Sequence, residues 1–509
     1  MPKQCDGLST IEARFDRFRR RAGFILAPLA FAALSFVPVG PDLGWTAHRL
    51  LAVMGLVITL WVTEALPLPV TALLGPALCV LLGIGPAKDV FKNFADPVIF
   101  LFLGSFLLAE AMVTHGLNRR MAFHILGLNW ANKSPARLLA ALGTVTALVS
   151  MWISNTAATA MMLPICLAIL GEIARSRSKR LGHEIRPEHL KFGASLLLTA
   201  AYASSLGGIA TPVGTPPNLI TMALIEKNLG KEISFFQWMI IAVPLTAILV
   251  SILILYLSQV CKAEPDLLAD SARWLNAEKE GLGPCSRAEW NVLMAFGMTA
   301  TLWLLPGAVN LLVGGQHPAA VWINQRVPES TAALFGAAIL FAMPTGNPEH
   351  PFTLSWNEAK RIDWGTILLF GGGLVLGEMM ITTGLAKWLG NVLVNMLHIQ
   401  TTLGLTALFT VVAIVLTETA SNTATATMVV PLAIAVSQAA GANPLMPALG
   451  ACFGASMAFM LPVSTPPNAI VYGSGCIPVL KMIKYGLILD VLCAVVIVMF
   501  VWWWVPKWL

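Results

Sequence analysis

Two short polar motifs, each present twice, carry the side chains of this sequence that are best suited to bind a ligand. The first is Ser-Asn-Thr, at Ser154-Asn155-Thr156 and again at Ser421-Asn422-Thr423. The second is Thr-Pro-Pro-Asn, at Thr215-Pro216-Pro217-Asn218 and again at Thr465-Pro466-Pro467-Asn468. We call them the SNT and TPPN motifs. Because the same order of motifs occurs twice, the sequence indicates an internal repeat in which each copy carries ligand-binding residues.

Both motifs are rich in oxygen ligands. Hydroxyl, amide and free carbonyl oxygens suit an alkali cation and are poor ligands for zinc or copper. Asparagine and threonine also donate hydrogen bonds, and a helix that begins after each SNT motif would direct its N-terminus at a carboxylate or another oxyanion. The paired prolines break a helix and leave carbonyl groups without partners. The motifs therefore predict one site that binds both an anion and cations.

The segments that hold the motifs contain no lysine and no arginine. These segments are 138–171, 192–225, 401–440 and 445–480. An anion bound there would be neutralised by cations bound with it and by helix dipoles, so coupling of the two is physically natural. Glu418 is the only acid in the four segments. It would tune a cation site, carry a proton, or serve as a capped or solvated carboxylate at a cavity mouth, and we favour the last.

The composition requires that these motifs lie in a membrane. Hydrophobic residues make up 57% of the chain, charged residues 11%, and the mean hydropathy is +0.76. We predict an all-α polytopic membrane protein with about 11 transmembrane helices, because open sheets leave backbone groups unpaired in lipid. The eight cysteines form no CxxC pair and are expected to act as small apolar residues. The net charge of +6 indicates cytoplasmic loops and no nucleic-acid partner.

The first SNT motif lies in the middle of an apolar segment, 138–171. As one continuous span this segment is too long and puts three polar side chains in lipid. As two half-length helices with a polar tip, it forms a re-entrant hairpin that faces a cavity. Arg137 before the segment and the basic run from Arg175 after it put both ends on the cytoplasmic side, which only a hairpin permits. We therefore predict two re-entrant hairpins, the second over about 401–440.

The order of elements predicts inverted-topology repeats. We expect a cytoplasmic N-terminus and first transmembrane helix at 1–50, a first repeat at 51–260 with a broken helix at about 192–225, a cytoplasmic linker at 261–289, and a second repeat at 290–509 with a broken helix at about 446–473. An odd number of spans between the hairpins inverts the second copy. Five arginines between residues 14 and 21 indicate a cytoplasmic N-terminus, so the C-terminus is expected outside. A cleavable leader is the alternative, but no small-residue cleavage site follows the apolar run.

The stretch around the second TPPN motif resembles a known family signature. Ser456-Met-Ala-Phe-Met-Leu-Pro-Val-Ser-Thr-Pro-Pro-Asn-Ala-Ile-Val471 is similar, position for position, to the signature of the divalent anion/sodium symporters, which carry dicarboxylates, citrate or sulfate. The doubled SNT motif is similar to that family's two hairpin tips, and the resemblance covers nearly the whole chain. It implies a homodimer in the cell (inner) membrane that moves a small divalent anion with two or more sodium ions. It also implies alternating access by movement of a transport domain against a scaffold.

The resemblance also implies which residues bind. Substrate contacts would come from Asn155, Thr156, Thr215, Ser421, Asn422, Thr423, Thr465 and Pro466. One sodium would bind Ser150, Ser154, Asn155 and the carbonyl of Gly214, and the other Thr417, Ala420, Asn422 and the carbonyl of Ser464. Thr215, where some relatives have serine, is a departure that leaves the preferred substrate size open.

Other functions are weighed beside sodium-coupled dicarboxylate transport. A sodium-independent dicarboxylate exchanger and a sodium/proton antiporter of the same superfamily fit the resemblance as well. An enzyme would need a convergent nucleophile or a metal set, and the sequence has no HExxH or GxSxG motif. A channel fits less well, because paired hairpins of opposite orientation suit alternating access. The motifs do not choose among succinate, malate, citrate and sulfate.

Overall fold

Helices make up nearly all of the regular structure, which confirms the all-α prediction. The computed structural model describes residues 10–37, 43–186, 190–260, 269–314 and 316–509. Within these residues one small antiparallel sheet occurs, formed by β1 (Pro344–Asn347) and β2 (His350–Phe352), and it was not predicted. Seven of the described helices are long and apolar enough to cross a membrane, and five more are shorter and apolar. The number of spans and the re-entrant position of the hairpins stay predictions.

Four helices come first, and the predicted first repeat, 51–260, begins within the second of them. They are α1 (Thr10–Phe36), α2 (Trp45–Thr63), α3 (Leu68–Leu81) and α4 (Ala87–Phe91), followed by a 3-10 turn at Lys92–Ala95. The α2 helix ends at Glu64, which adopts a left-handed conformation with φ 48°. The Glu64 carboxylate pairs with Arg19 of α1 at 2.9 Å. Glu64 therefore caps a helix and ties α1 to α2, and the same Arg19 donates to the carbonyl of Thr419, two residues before Ser421, at 2.9 Å.

The rest of the predicted first repeat contains seven helices, and its breaks fall at the motifs. They are α5 (Pro97–Thr114), α6 (Leu117–Leu126), α7 (Pro135–Ser150), α8 (Asn155–Leu181), α9 (Lys191–Gly208), α10 (Pro216–Leu229) and α11 (Phe235–Val260). The chain leaves the helix between α7 and α8, so a continuous span over 138–171 is wrong and a helical hairpin is present. The α8 helix continues into the polar run, which makes this hairpin longer than predicted. The short helix α6 carries Arg119 and Arg120, and a 3-10 turn at Ala131–Lys133 separates it from α7.

Five helices follow, the first in the predicted linker and the other four at the start of the predicted second repeat. They are α12 (Ala269–Gly281), α13 (Arg287–Val313), α14 (Pro318–Arg326), α15 (Glu329–Leu340) and α16 (Trp356–Ala359), with the small sheet between α15 and α16. Residues 261–268 of the predicted linker lie outside the described residues, and most of its remainder forms α12. A buried ion pair between Arg120 of α6 and Glu289 of α13, 2.6 Å apart, ties this connection to the first repeat.

Seven further helices complete the predicted second repeat, and in order they correspond to α5 to α11. They are α17 (Trp364–Thr382), α18 (Leu385–Leu397), α19 (Thr402–Thr417), α20 (Asn422–Ala439), α21 (Leu445–Gly454), α22 (Pro466–Tyr472) and α23 (Val479–Trp504), with a final 3-10 turn at Val505–Lys507. Asp96 begins α5 by accepting from the backbone N–H of Val98 at 3.1 Å, and Asp363 begins α17 by accepting from that of Thr366 at 3.0 Å. The matched aspartates, 267 residues apart like the two SNT motifs, therefore start matched helices.

The helix that begins with the matched aspartate in each predicted repeat packs against a helix of the other repeat. Helix α5 crosses α15, and α17 crosses α3. A Cβ at Gly104 would lie 2.5 Å from the backbone of Ala333, and a Cβ at Gly372 would lie 2.1 Å from the carbonyl oxygen of Ala72, so both crossings depend on glycine. Gly371 lies eight residues after Asp363, as Gly104 lies eight residues after Asp96, but it faces Phe94 instead. Glycine thus lets each repeat approach the other closely at equivalent points.

The broken helix of each repeat likewise packs against the hairpin of the other repeat. Helix α22 of the second repeat packs on α8 of the first, and α10 of the first packs on α20 of the second. Each TPPN motif, which begins α10 or α22, therefore lies beside the hairpin of the other repeat. This arrangement brings four motifs, distant in sequence, to one place.

Candidate functional site

The serine of each SNT motif sets the point where its hairpin turns. Ser154 is the N-cap of α8, and its Oγ accepts a hydrogen bond from the backbone N–H of Ala157 at 3.2 Å. Ser421 caps α20 in the same way and accepts from the N–H of Ala424 at 3.2 Å. A serine oxygen satisfies N–H groups that a helix leaves unpaired at its start. The asparagine and threonine that follow therefore lie at a helix N-terminus.

The asparagine of each SNT motif faces the first helix of its own hairpin. Ser150 Oγ donates to Asn155 Oδ1 at 2.8 Å, and Thr417 Oγ1 donates to Asn422 Oδ1 at 2.7 Å. Each hydroxyl also lies 2.7 Å from a carbonyl oxygen of the neighbouring broken helix. These carbonyls belong to Ser204 and Ala455, which sequence reasoning missed. Hydroxyl, amide and carbonyl oxygens thus meet behind each tip, and this oxygen set suits a hard cation such as sodium.

The asparagine of each TPPN motif holds the irregular backbone that precedes it. Asn218 Nδ2 donates to the carbonyls of Gly208 and Thr211, at 3.0 and 2.7 Å. Asn468 Nδ2 donates to the equivalent carbonyls at 2.9 and 3.0 Å. The second pair of acceptors is Ala458 and Leu461. The prolines end regular hydrogen bonding at the breaks, and the asparagine side chain supplies donors for the exposed carbonyls. Both asparagines were quoted in the motif, but their positioning role was not predicted.

The four motifs meet in one cavity of about 610 Å³. All eight predicted substrate residues line it, namely Asn155, Thr156, Thr215, Ser421, Asn422, Thr423, Thr465 and Pro466. The N-termini of α8, α10 and α20 point toward the same space, and their positive dipole ends favour an anion there. The cavity therefore offers hydroxyl and amide donors together with three helix N-termini.

The residues predicted to bind sodium divide into two layers. Ser154, Asn155, Gly214, Asn422 and Ser464 line the cavity. Ser150, Thr417 and Ala420 lie behind that lining and are buried, with at most 2% exposure. Each hairpin thus brings its own set of oxygens to the rear of the cavity.

Helices α3, α5 and α17 form the opposite wall of the cavity. Charged side chains, one of them basic, enter the lining from this wall. Glu110 and Val113 come from the last turns of α5, and Asp363 comes from the start of α17. Arg361, just before α17, also lines the cavity. The absence of basic residues in the motif segments is correct, but it does not extend to the whole cavity. A basic residue two positions before the aspartate that begins α17 was the available sequence signal.

Glu418 distinguishes the second half of the site from the first. Its side chain is 2% exposed and does not line the cavity, so the expected carboxylate is capped by hydrogen bonds and is not a solvated group at the cavity mouth. Its carboxylate accepts from the backbone N–H groups of three consecutive residues, 459 to 461, at 2.7 to 3.2 Å. It also accepts from Ser464 Oγ at 2.6 Å. The equivalent position in the first repeat is Met151, so this buried carboxylate supports one half-site only. Asp490 of α23, also buried, lies beside it and was missed.

Comparisons with known proteins agree on a transporter. Residues 20–509 match the family model described as the sodium:sulfate symporter transmembrane region. The sodium-dependent dicarboxylate transporter SdcS of Staphylococcus saprophyticus is 36% identical over 490 residues, covering 95% of this chain and 91% of the relative. Its namesake from Staphylococcus aureus is 35% identical over 495 residues with the same coverage. A crystal structure of the Alcanivorax borkumensis YdaH transporter matches with a TM-score of 0.56 and 15% identity, over 97% of this chain and 98% of that one.

Proposed function

The chain belongs to the sodium:sulfate symporter family, the divalent anion/sodium symporters, and from that membership we propose that it is a sodium-coupled secondary active transporter of dicarboxylates such as succinate, malate or fumarate. The observation that carries this proposal is the single cavity into which both SNT and both TPPN motifs open. A dicarboxylate has two anionic ends, and the cavity presents two equivalent sets of hydrogen-bond donors. One end of the substrate would bind each repeat.

The substrate is held by the eight motif residues that line the cavity. The amide of Asn155 and the hydroxyls of Thr156 and Thr215 would bind one carboxylate. The residues Ser421, Asn422, Thr423, Thr465 and Pro466 would bind the other. Hydrogen bonds to charged groups contribute about 1.5 to 3 kcal/mol each, so a few such contacts account for specific binding.

Sodium ions occupy the oxygen clusters behind the two tips. One ion binds Ser150, Ser154, Asn155 and the Gly214 carbonyl, and the other binds Thr417, Ala420, Asn422 and the Ser464 carbonyl. The short contacts from Ser150 to Asn155 and from Thr417 to Asn422 support this assignment. A dianion buried without compensation costs several kcal/mol per charge, and two or more sodium ions cancel that cost. Sodium is therefore required for substrate binding.

Alternating access moves the motif-bearing helices against the wall formed by α3, α5 and α17. The cavity lies where α5 ends and α17 begins. At the opposite end of α5, Lys227 of α10 pairs with Asp96 at 2.9 Å and donates to Asn93 at 2.7 Å. These contacts join a motif-bearing helix to the wall, so exposure of the site to the other face requires that they break. We infer an elevator-like movement of inverted repeats within a homodimer.

Uptake of labelled succinate, malate, citrate and sulfate into proteoliposomes tests the function. An inward sodium gradient at constant pH should drive succinate uptake several-fold above a choline control. Uptake that is unchanged in choline would reject sodium coupling and support the dicarboxylate exchanger. Sodium flux that is opposed by protons and indifferent to every anion would support the antiporter. Use of more than two sodium ions per dianion would make transport electrogenic.

The orientation in the membrane is proposed with the N-terminus in the cytoplasm and the C-terminus outside. The N-terminal residues 1–9 lie outside the described residues, so the proposal rests on the charged flanks of the helices. Cysteines introduced as Arg180→Cys and Ala442→Cys should then face opposite sides. A membrane-impermeant thiol reagent, applied to intact cells in a background without accessible native cysteines, is expected to modify the second only. Equal labelling of both from outside would reject the inverted orientation of the hairpins.

A further inference from the structure

We propose that Arg361 attracts the anionic substrate to the mouth of the cavity and that the negative charge of Glu110 weakens this attraction. This inference deepens the proposed function and rests on it, because it concerns how a dianion enters the same cavity. The observation behind it is that Arg361 is the basic residue in the cavity lining, among the residues that the structure describes. The motif residues at the rear of the cavity supply dipoles, but no full positive charge.

The geometry leaves the Arg361 guanidinium available to a ligand. Its Nη1 lies 4.0 Å from Glu110 Oε1, which is beyond hydrogen-bond distance. The Arg361 side chain is 66% exposed and the Glu110 side chain 19%. An exposed pair this far apart contributes little to stability. Arg361 therefore has no evident role in holding the fold, and its N–H donors can turn to a carboxylate in the cavity.

The other charged groups at this end are already engaged. Asp363 accepts from the backbone N–H of Thr366 as the N-cap of α17. Glu358 is buried and accepts from the backbone N–H and hydroxyl of Ser355. With Arg361 neutralised by substitution, the lining would keep two carboxylates and repel a dianion. With Glu110 neutralised, the attraction of Arg361 for a dianion would increase.

A matching pair at the other end of the same two helices supports this assignment. Lys92 precedes the aspartate that begins α5, and Glu378 lies near the end of α17. Their charged atoms are 2.9 Å apart, against 4.0 Å for Arg361 and Glu110. The pair at the Asp96 end of α5 is therefore joined, and the pair at the Glu110 end is separated. Arg361 is not held by the nearest acid of the cavity lining, whereas Lys92 is held by Glu378.

The first test measures the charge at the mouth without any transport. Val113→Cys puts a thiol in the cavity lining, at a position that is 39% exposed, in a background without accessible native cysteines. Its reaction rates with a negatively and a positively charged methanethiosulfonate reagent are compared. Arg361→Gln should slow the anionic reagent and speed the cationic one by about threefold each at low ionic strength, and ~1 M salt should abolish the difference. Glu110→Gln should act in the opposite direction.

The second test measures transport from each face in oriented vesicles. Arg361→Gln is expected to raise KM for succinate about fivefold, and Glu110→Gln to lower it, only on the face to which the cavity opens and with kcat nearly unchanged. Lys360→Gln is the matched control, because Lys360 is the adjacent exposed basic residue and does not line the cavity. It should change neither the labelling rates nor KM.

The outcomes separate this inference from the proposed function. Equal labelling ratios in Arg361→Gln and Lys360→Gln would overturn the role of Arg361, as would a change in KM of equal size on both faces or a loss of kcat alone. Absence of sodium-driven uptake by the unmodified protein would overturn the proposed function. The labelling result would still decide whether Arg361 attracts anions into the cavity.

Discussion

Asn155→Ala and Asn422→Ala are each expected to weaken the apparent affinities for sodium and for dicarboxylate together, by about ten- to a hundredfold. The reason is that each asparagine presents two faces. Its Oδ1 belongs to the oxygen cluster behind the tip, 2.7 to 2.8 Å from a hydroxyl, while its amide reaches the cavity. Alanine removes a cation ligand and a substrate donor at once. Linkage then requires that the loss at one site also appears at the other.

Sodium and succinate titrations of initial uptake, each at several fixed concentrations of the other ion, measure both affinities. Asn228→Ala is a control of the same residue type, because Asn228 lies near the end of α10, outside the cavity lining, and only donates to the carbonyl of Leu224. Thermal unfolding in detergent checks that each variant is folded. A folded variant that keeps both affinities within about twofold contradicts the assignment of that asparagine.

The parts of the site that follow local rules were predictable from the sequence. Serine before a helix and proline in its first turn indicate where the helix starts, to within a few residues. Ser154 and Ser421 therefore marked the hairpin tips, and Thr215 and Thr465 marked the points where the broken helices resume. The repetition of these local signals then indicated that the two halves share one site. The same local rule places Asp96 and Asp363 at the starts of α5 and α17.

The parts that depend on contacts between distant segments were not predictable. Arg361 lines the cavity because the start of α17 lies beside the motifs of other segments, and α17 packs on α3, where Gly372 permits close approach. Its place two residues before Asp363 is the only signal near it in the sequence, and that signal does not indicate a ligand. The depth of Glu418 was also misjudged, since three backbone N–H groups from a segment about 40 residues later surround it. Periodicity and composition describe single elements, and they do not report which loop folds over a given side chain.

Glu418→Gln is expected to lower sodium affinity by about a hundredfold, mainly at the second half-site. The carboxylate satisfies three backbone N–H groups and the Ser464 hydroxyl. A glutamine replaces one acceptor oxygen with an NH₂ donor, which faces backbone donors and leaves at least one of them unpaired. Hydrogen bonds to a charged group contribute about 1.5 to 3 kcal/mol each, so the loss of one or two accounts for this factor. The substitution also removes a negative charge beside a cation site.

The two half-sites make this prediction specific, because Met151 occupies the equivalent position in the first repeat. Loss at one sodium site should shift the sodium dependence of uptake to higher concentration and reduce its cooperativity, since two coupled ions no longer bind in the same range. Glu172→Gln, which removes a surface carboxylate paired with Arg175, should change neither. Glu418→Asp keeps the charge and should retain part of the affinity. If folded Glu418→Gln protein shows an unchanged sodium curve, the backbone of residues 459 to 461 holds its shape without the carboxylate, and Glu418 has no part in cation binding.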